Sequence, residues 1–167
     1  MAPGGRPLPA GGGLIELSTR VEPHLQEVAE PALQELADAL RATTALTIRD
    51  ANDAVVLLVR APATTEMHLA YRSGLRHPLS VAASGIAILA GNPERDGERP
   101  EVTVARARGW ARSTGELLPG ATGVGAPIVG SSGDAQAAVS AVWVDDRDEE
   151  AMAAAVRDTA ALIARSL

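Results

Sequence analysis

The chain has 167 residues, a net charge of −6 and no Cys, Lys or Phe. The absence of Cys excludes disulfides, thiolate metal sites and thiol catalysis, and the absence of Lys excludes a phosphate-binding P-loop, Schiff-base chemistry and a Ser–Lys dyad. The acidic balance and the scattered Arg residues disfavour nucleic-acid binding, and no apolar run is long enough to span a membrane. We therefore expect a single-domain cytoplasmic protein with a sizeable core.

Residues 1–13 are rich in Gly and Pro and predict a flexible lead-in to one domain over residues 14–167. An apolar stripe at helical spacing follows, formed by Leu14, Leu17, Val21, Leu25 and Val28. Because Pro lacks an N–H and clashes with the preceding turn, Pro31 predicts the start of a second helix. That helix carries Ala32, Leu33, Leu36, Ala37 and Leu40 on a face typical of a core or an oligomer contact.

Strand signals begin after the helices. Residues 45–48 and 54–59 flank a polar turn at residues 50–53 and predict a β-hairpin. The unbroken apolar run of residues 55–59 predicts a strand that is covered on both faces. Residues 68–72 alternate weakly and predict a third strand before a turn at Ser73 and Gly74.

The second half of the chain predicts a short buried helix over residues 84–90 and a loop over residues 92–100. Three further strands are predicted at residues 110–113, 122–129 and 137–144. The acidic residues 145–150 favour the start of a terminal helix whose apolar face is Met152, Val156, Leu162 and Ile163. This order predicts an α+β fold with an antiparallel sheet flanked by helices.

Catalytic and metal-binding patterns are missing from the sequence. His24, His68 and His77 have no spacing that suggests a metal site, and only His77, at the turn into the short helix, is expected near a pocket. No Ser lies in a nucleophile elbow, and the acidic residues 145–150 are best explained by helix capping. We predict no catalytic residue, no metal ligand and no cofactor.

The small residues from Ser80 to Gly85 are more informative. Free backbone N–H groups at a helix start, together with the helix dipole, form a receptor for a carboxylate or a phosphate. The alternative is that small residues only allow close packing of this helix on the sheet. Gly120, Gly123 and Gly125 do not match a dinucleotide fingerprint and indicate a close backbone approach or an open side-chain slot.

Several of these segments resemble the IclR family of bacterial transcription regulators. Residues 78–90 (PLSVAASGIAILA) resemble the family's P-L-H-A-T-A-x-G-K-A-L-L-A, and residues 108–120 (RGWARSTGELLPG) resemble R-x-x-G-Y-A-x-D-x-x-E-x-x-P-G. Residues 124–128 (VGAPI) are similar to I-A-A-P-V, and residues 28–36 (VAEPALQEL) to A-x-P-x-L-x-x-L. The resemblance runs in order over residues 14–167.

The resemblance implies a GAF-like α+β effector-binding domain that senses a small molecule and forms homodimers or tetramers. It implies a pocket between the sheet and the short helix, in which the backbone amides of Ala83 and Ser84 hold the carboxylate of a small organic acid. The implied ligand-binding residues are Leu69, His77, Ala83, Ser84, Gly85, Ser113, Ala121, Gly123, Ser140 and Val142.

Some positions depart from the family pattern. Ser113 stands where the family often has an acid, Gly123 where a Cys or another side chain is common, Val142 where a second Ser can occur, and Ile86 where the family has Lys. We therefore expect a less polar and roomier pocket, suited to an aromatic or branched acid. The loop of residues 92–101 is shorter than usual for the family, which predicts a pocket open on one side.

The family's winged helix–turn–helix domain has no counterpart in this sequence, and residues 5–17 resemble only the exit from its wing. The chain as given is therefore expected not to bind DNA. The leading interpretation is a non-catalytic sensor of a small carboxylate. One alternative is a stand-alone GAF-like module that modulates a partner regulator by mixed oligomerisation, and another is an enzyme that acts through Ser, Asp, Glu or His77.

Overall fold

The computed structural model describes residues 22–64 and 71–167. Within them the strands are β1 (Thr43–Asp50), β2 (Asp53–Arg60), β3 (Arg76–Pro78), β4 (Ala111–Thr114), β5 (Thr122–Val129) and β6 (Ala135–Trp143). The helices are α1 (Glu22–Leu40), α2 (Ala82–Ala90), α3 (Pro100–Arg108) and α4 (Glu149–Arg165). The predicted lead-in over residues 1–13 and the stripe positions Leu14, Leu17 and Val21 lie outside the described residues.

The six strands form one sheet in the order β3-β2-β1-β6-β5-β4, and every neighbouring pair is antiparallel. The predicted α+β class with an antiparallel sheet is confirmed. The predicted hairpin is also confirmed: β1 and β2 pair from Asp50 and Asp53 outward, and Ala51 in the turn has a φ of 56°. Such a tight turn requires positive φ values, which the polar turn sequence signals.

Helices cover both faces of the sheet. Alternate residues of β6 point to opposite faces, because side chains alternate along a strand. Ala137, Val139 and Ala141 join the larger core, formed with α1 and α4, whereas Ala138 joins a smaller core formed with α2 and α3. No helix among the described residues is both long and apolar enough to cross a lipid bilayer.

Helix α1 differs from the prediction, because it continues through Pro31 instead of ending there. Leu25 and Ala29 before the proline and Leu33 and Leu36 after it are buried on one continuous face. Pro31 itself lies on the exposed face. Burying the whole stripe compensates for the lost backbone hydrogen bond, which costs about 3 kcal/mol.

The strand predictions need two corrections. Residues 68–70 lie outside the described residues, and the described part of the predicted third strand, Tyr71 and Arg72, is not a strand; β3 follows the turn at Ser73 and Gly74 instead. The run of residues 55–59 is not covered on both faces, because only Val56 within it is fully buried. Its other residues are half-buried.

The helix predictions in the second half are mostly confirmed, with one omission. The short helix starts two residues earlier than predicted, at Ala82, and α4 begins after Asp148, whose carboxylate accepts from the N–H groups of Glu150 and Ala151. Helix α3 was not predicted, because it buries only Val102 and Ala105 and so has a weak apolar pattern. Leu162 was wrongly assigned to the core face of α4, since 46% of it is exposed.

Helix α2 lies directly on the backbone of β5. A Cβ atom on Gly125 would lie 2.8 Å from the Ala83 carbonyl oxygen and 3.0 Å from its carbonyl carbon, so no side chain fits there. A Cβ atom on Gly123 would meet its nearest neighbour, the Ala141 carbonyl oxygen, at an ordinary 3.6 Å. The glycine pattern of β5 therefore reflects a close backbone approach at Gly125.

Gly125→Ala is expected to lower the free energy of unfolding by about 2 kcal/mol, because the new methyl group collides with the backbone of α2. Gly123→Ala is the matched control and is expected to change the same free energy by less than about 1 kcal/mol. Urea denaturation of both variants measures the difference. Equal midpoints for the two variants would contradict the close approach.

Candidate functional site

A small cavity lies between the amino end of α2, strands β4 to β6 and the loop that joins β4 to β5. It encloses about 30 Å³, roughly the room for one or two water molecules. Its lining combines small residues with a few polar groups and two leucines. The residues are Tyr71, Ala82, Ala83, Ser84, Ser113, Glu116, Leu117, Leu118, Ala121, Gly123, Ser140 and Val142.

Most of the predicted ligand-binding residues border this cavity. They are Ala83, Ser84, Ser113, Ala121, Gly123, Ser140 and Val142. His77 and Gly85 do not border it, and Leu69 lies outside the described residues. A Cβ atom on Gly85 would lie 2.4 Å from the Leu79 carbonyl oxygen, so this glycine is needed for packing. The part that the bordering residues play in binding stays a prediction.

The amino end of α2 has no local cap. Val81 at the capping position has no polar side chain, and the first turn contains no acidic residue. Ala82 has a φ of 68°, a left-handed conformation that costs a residue with a Cβ atom roughly 1–2 kcal/mol. The free N–H groups are satisfied from elsewhere in the chain: Ala82 N donates to Glu116 Oε1 at 2.9 Å, and Ala83 N donates to Ser113 Oγ at 2.9 Å.

Arg99 completes the arrangement around Glu116. Its Nη1 atom donates to Glu116 Oε1 at 2.9 Å and to the Ser80 carbonyl oxygen at 2.7 Å, and its Nε lies 3.3 Å from Glu101 Oε1. The Arg99 guanidinium holds the pKa of Glu116 below its usual value; burial opposes this effect, and the Ala82 N–H adds to it. Arg99 and Glu116 therefore form a charged pair at the cavity wall, and the opening predicted beside the short loop stays a prediction.

Hydroxyl groups gather on the other side of the cavity. Ser84 and Ser140 are each 2% exposed, and neither Oγ atom has a hydrogen-bond partner among the described residues. The buried Tyr71 side chain lies beside them and beside Thr47 Oγ1, which is also unpartnered. Burial raises the pKa of Tyr71, and hydrogen bonding between its hydroxyl and those of Ser84, Thr47 and Ser140 acts in the opposite direction, although none of these three contacts has full hydrogen-bond geometry. Buried polar atoms without partners mark a place that a ligand or water completes.

His77 is buried but separate from the cavity. Its Nδ1 atom donates to the Pro78 carbonyl oxygen at 3.0 Å, and its Nε2 atom has no partner among the described residues. No group of three or more His, Asp or Glu side chains in residues 22–64 and 71–167 is arranged to hold a metal ion. The His77 environment therefore concerns the packing of β3.

Sequence reasoning missed Tyr71, Ala82, Glu116, Leu117 and Leu118 in the cavity wall. Glu116 carried a usable signal, because it matches the E of the D-x-x-E-x-x-P-G pattern. The roomier pocket predicted from Gly123 and Val142 stays a prediction, and the space beside Gly123 has an ordinary width in this structure. Tyr71, Leu117 and Leu118 border the space, and a Cβ atom on Gly123 would already touch Ala83 and Val142 at 3.7 Å.

The lowered pKa of Glu116 predicts a pH-dependent contribution to stability. A carboxylate whose pKa is lower in the folded state stabilises the fold above its unfolded pKa and loses this effect as the pH falls. Glu116→Gln is expected to lower the free energy of unfolding by about 1 kcal/mol at neutral pH, with the difference from wild type shrinking below pH 4.5. Urea denaturation of both proteins at several pH values measures this difference in the free energy of unfolding.

Asp146→Asn serves as the control, because it removes the same charge at an exposed position. A deficit of Glu116→Gln that stays constant from neutral to acid pH would show that the ionised carboxylate is not what stabilises this region.

The chain matches a known protein family and several solved structures. Residues 20–99 match the family model described as the C-terminal domain of the bacterial transcriptional regulator IclR. No curated protein sequence matches the chain.

Three solved structures illustrate the likeness. A transcriptional regulator from Rhodococcus sp. RHA1 is 25% identical, with a TM-score of 0.74 over 85% of this chain and 68% of that one. The IclR of Thermotoga maritima is 23% identical (TM-score 0.74; 93% of this chain, 74% of that one). An IclR homologue from Microbacterium hydrocarbonoxydans, solved in complex with 4-hydroxybenzoate, is 24% identical (TM-score 0.75; 92% and 73%). Over residues 20–99 the chain therefore matches the C-terminal domain of the IclR family of bacterial transcriptional regulators, which is the effector-binding domain of that family, and it shares the fold of these regulators.

Proposed function

We propose that the effector of this domain is a small, partly apolar carboxylic acid that binds in the cavity at the amino end of α2. The observation that carries the proposal is the pair of buried, unpartnered hydroxyls of Ser84 and Ser140, which face the same small space as the start of a helix. Neither the two hydroxyls nor the helix start alone would suffice to indicate a ligand site. Together they offer hydrogen bonds that a polar ligand or a water molecule can complete.

The carboxylate is favoured by the charge at the helix start. Backbone N–H groups and the helix dipole attract an anion there. The chain already places a carboxylate, that of Glu116, at the Ala82 N–H, which supports the chemical preference of the position. The Ala83 N–H now donates to Ser113 Oγ, so a ligand carboxylate at Ala83 and Ser84 displaces that hydroxyl.

The body of the ligand is expected to be partly apolar. Leu117, Leu118 and Val142 border the cavity, and so does the buried Tyr71. The present volume is too small for a branched or aromatic acid, so binding requires Leu117 and Leu118 to move outward. The complex of the Microbacterium homologue with 4-hydroxybenzoate supports an acid of this kind. The homodimer or tetramer predicted from the sequence stays a prediction.

A thermal-shift panel tests the ligand class. We expect benzoate-type and branched-chain acids to raise the melting temperature, because their carboxylates reach α2 while their apolar parts replace water against the leucines. The corresponding neutral amides are the matched control and are expected to have no effect. A response confined to glyoxylate or pyruvate would contradict the partly apolar class, and equal responses to acid and amide would contradict the carboxylate.

Ser140→Ala separates ligand binding from folding. The Ser140 hydroxyl has no partner, so its removal is expected to leave the free energy of unfolding unchanged within about 0.5 kcal/mol, whereas the affinity for a responding acid falls about tenfold. Calorimetric titration and urea denaturation measure the two quantities.

Thr44→Val is the contrasting variant. Thr44 Oγ1 donates to the Leu33 carbonyl oxygen at 2.9 Å and does not border the cavity. This change is expected to lower stability by about 1 kcal/mol and to leave the affinity unaltered. An unchanged affinity in Ser140→Ala would remove Ser140 from the binding site.

A further inference from the structure

We propose that Glu116 is a built-in anion that occupies the amino end of α2 and holds the β4–β5 loop closed, so that an effector carboxylate must displace it to bind. We call Glu116, with its hydrogen bonds to Ala82 and Arg99, the Glu116 latch. The displacement part rests on the proposed function, because it needs a ligand that carries a carboxylate.

The Glu116 latch joins segments that are distant in the chain. Its carboxylate accepts from the Ala82 N–H at 2.9 Å and from Arg99 Nη1 at 2.9 Å, while Arg99 Nη2 lies 3.3 Å from the second oxygen. Arg99 also donates to the Ser80 carbonyl oxygen. One carboxylate thus connects the β4–β5 loop, the turn before α2 and the segment before α3. Hydrogen bonds between charged partners are stronger than neutral ones.

The carboxylate of Glu116 and the carboxylate of a ligand compete for the same positive potential at the amino end of α2. The side chain of Glu116 is 25% exposed and borders the same cavity as Ser84 and Ser140, whose hydroxyls a ligand would meet. Two carboxylates side by side repel each other, and this repulsion is weakly screened in a partly buried site. The single guanidinium of Arg99 cannot pair fully with both, so the incoming carboxylate drives Glu116 away from α2.

Displacement of Glu116 also enlarges the cavity. Leu117 and Leu118 follow Glu116 in the same loop and border the present space of about 30 Å³. When Glu116 leaves Ala82, these leucines move with it and make room for a ligand larger than water. Ligand binding therefore changes the position of the β4–β5 loop, which gives the domain two states that differ at its surface.

Amide hydrogen exchange on the full chain tests the Glu116 latch without any ligand. Glu116→Gln keeps the length of the side chain and one acceptor but removes the charge, and it is expected to speed exchange of residues 115–121 and of Ala82 by roughly tenfold. Arg99→Gln is expected to act in the same direction. Glu101→Gln is the matched control, because Glu101 pairs with the same Arg99 but does not border the cavity. Wild-type exchange rates in both Glu116→Gln and Arg99→Gln would overturn the latch.

Sodium acetate, compared with sodium chloride at equal ionic strength, tests displacement. In the wild type we expect acetate to slow exchange at residues 82–84 and to speed it at residues 115–121, and Glu116→Gln is expected to respond at several-fold lower acetate. Slower exchange of both segments in the wild type would overturn the displacement. No response to acetate even in Glu116→Gln would contradict the proposed carboxylate ligand, while the exchange without ligand would still decide whether Glu116 holds the loop.

Discussion

The direct contact between the backbone of α2 and the backbone of β5 is the constraint on which the site depends. No side chain separates them at Gly125, where a Cβ atom would lie 2.8 Å from the Ala83 carbonyl oxygen. Gly85 allows a similarly close approach between the helix and the backbone of Leu79. The helix is thereby held with its first N–H groups facing the end of β4, within reach of Ser113.

A helix that begins on small apolar residues carries an unsatisfied positive end, because its first N–H groups have no partners of their own. In most helices a neighbouring Ser, Thr, Asp or Asn solves this locally, as Asp148 does for α4. Helix α2 instead uses Ser113 and Glu116, about thirty positions away in the chain. A distant cap couples the helix to a loop, whereas a local cap would leave the two independent. Such coupling is what a sensing domain requires, since ligand binding must alter shape.

The sequence predicted the elements that follow local rules and failed where tertiary contacts prevail. The sequence predicts the β1–β2 hairpin and strand β5 because short apolar runs bounded by polar turns are local signals. Pro31 predicts a helix boundary, yet α1 continues through it, because the burial of Leu25 and Leu33 on one face stabilises the whole helix. The sequence does not predict helix α3, because only two of its residues are buried and its apolar pattern is weak. Its stability comes from packing on α2.

The sequence by itself determined the fold class, the short helix of small residues and the positive character of its amino end. Most of the cavity-bordering positions were also reached from the sequence, through the family pattern. Only the tertiary structure decided that Tyr71 borders the cavity and that Glu116 and Arg99 meet at the helix start. The physical reason is that hydrogen bonds between residues far apart in the chain depend on the register of the sheet and the exit angle of each loop. Neither the register of the sheet nor the exit angle of a loop follows from local periodicity. The volume of the cavity and the residues that border it therefore depend on the tertiary structure.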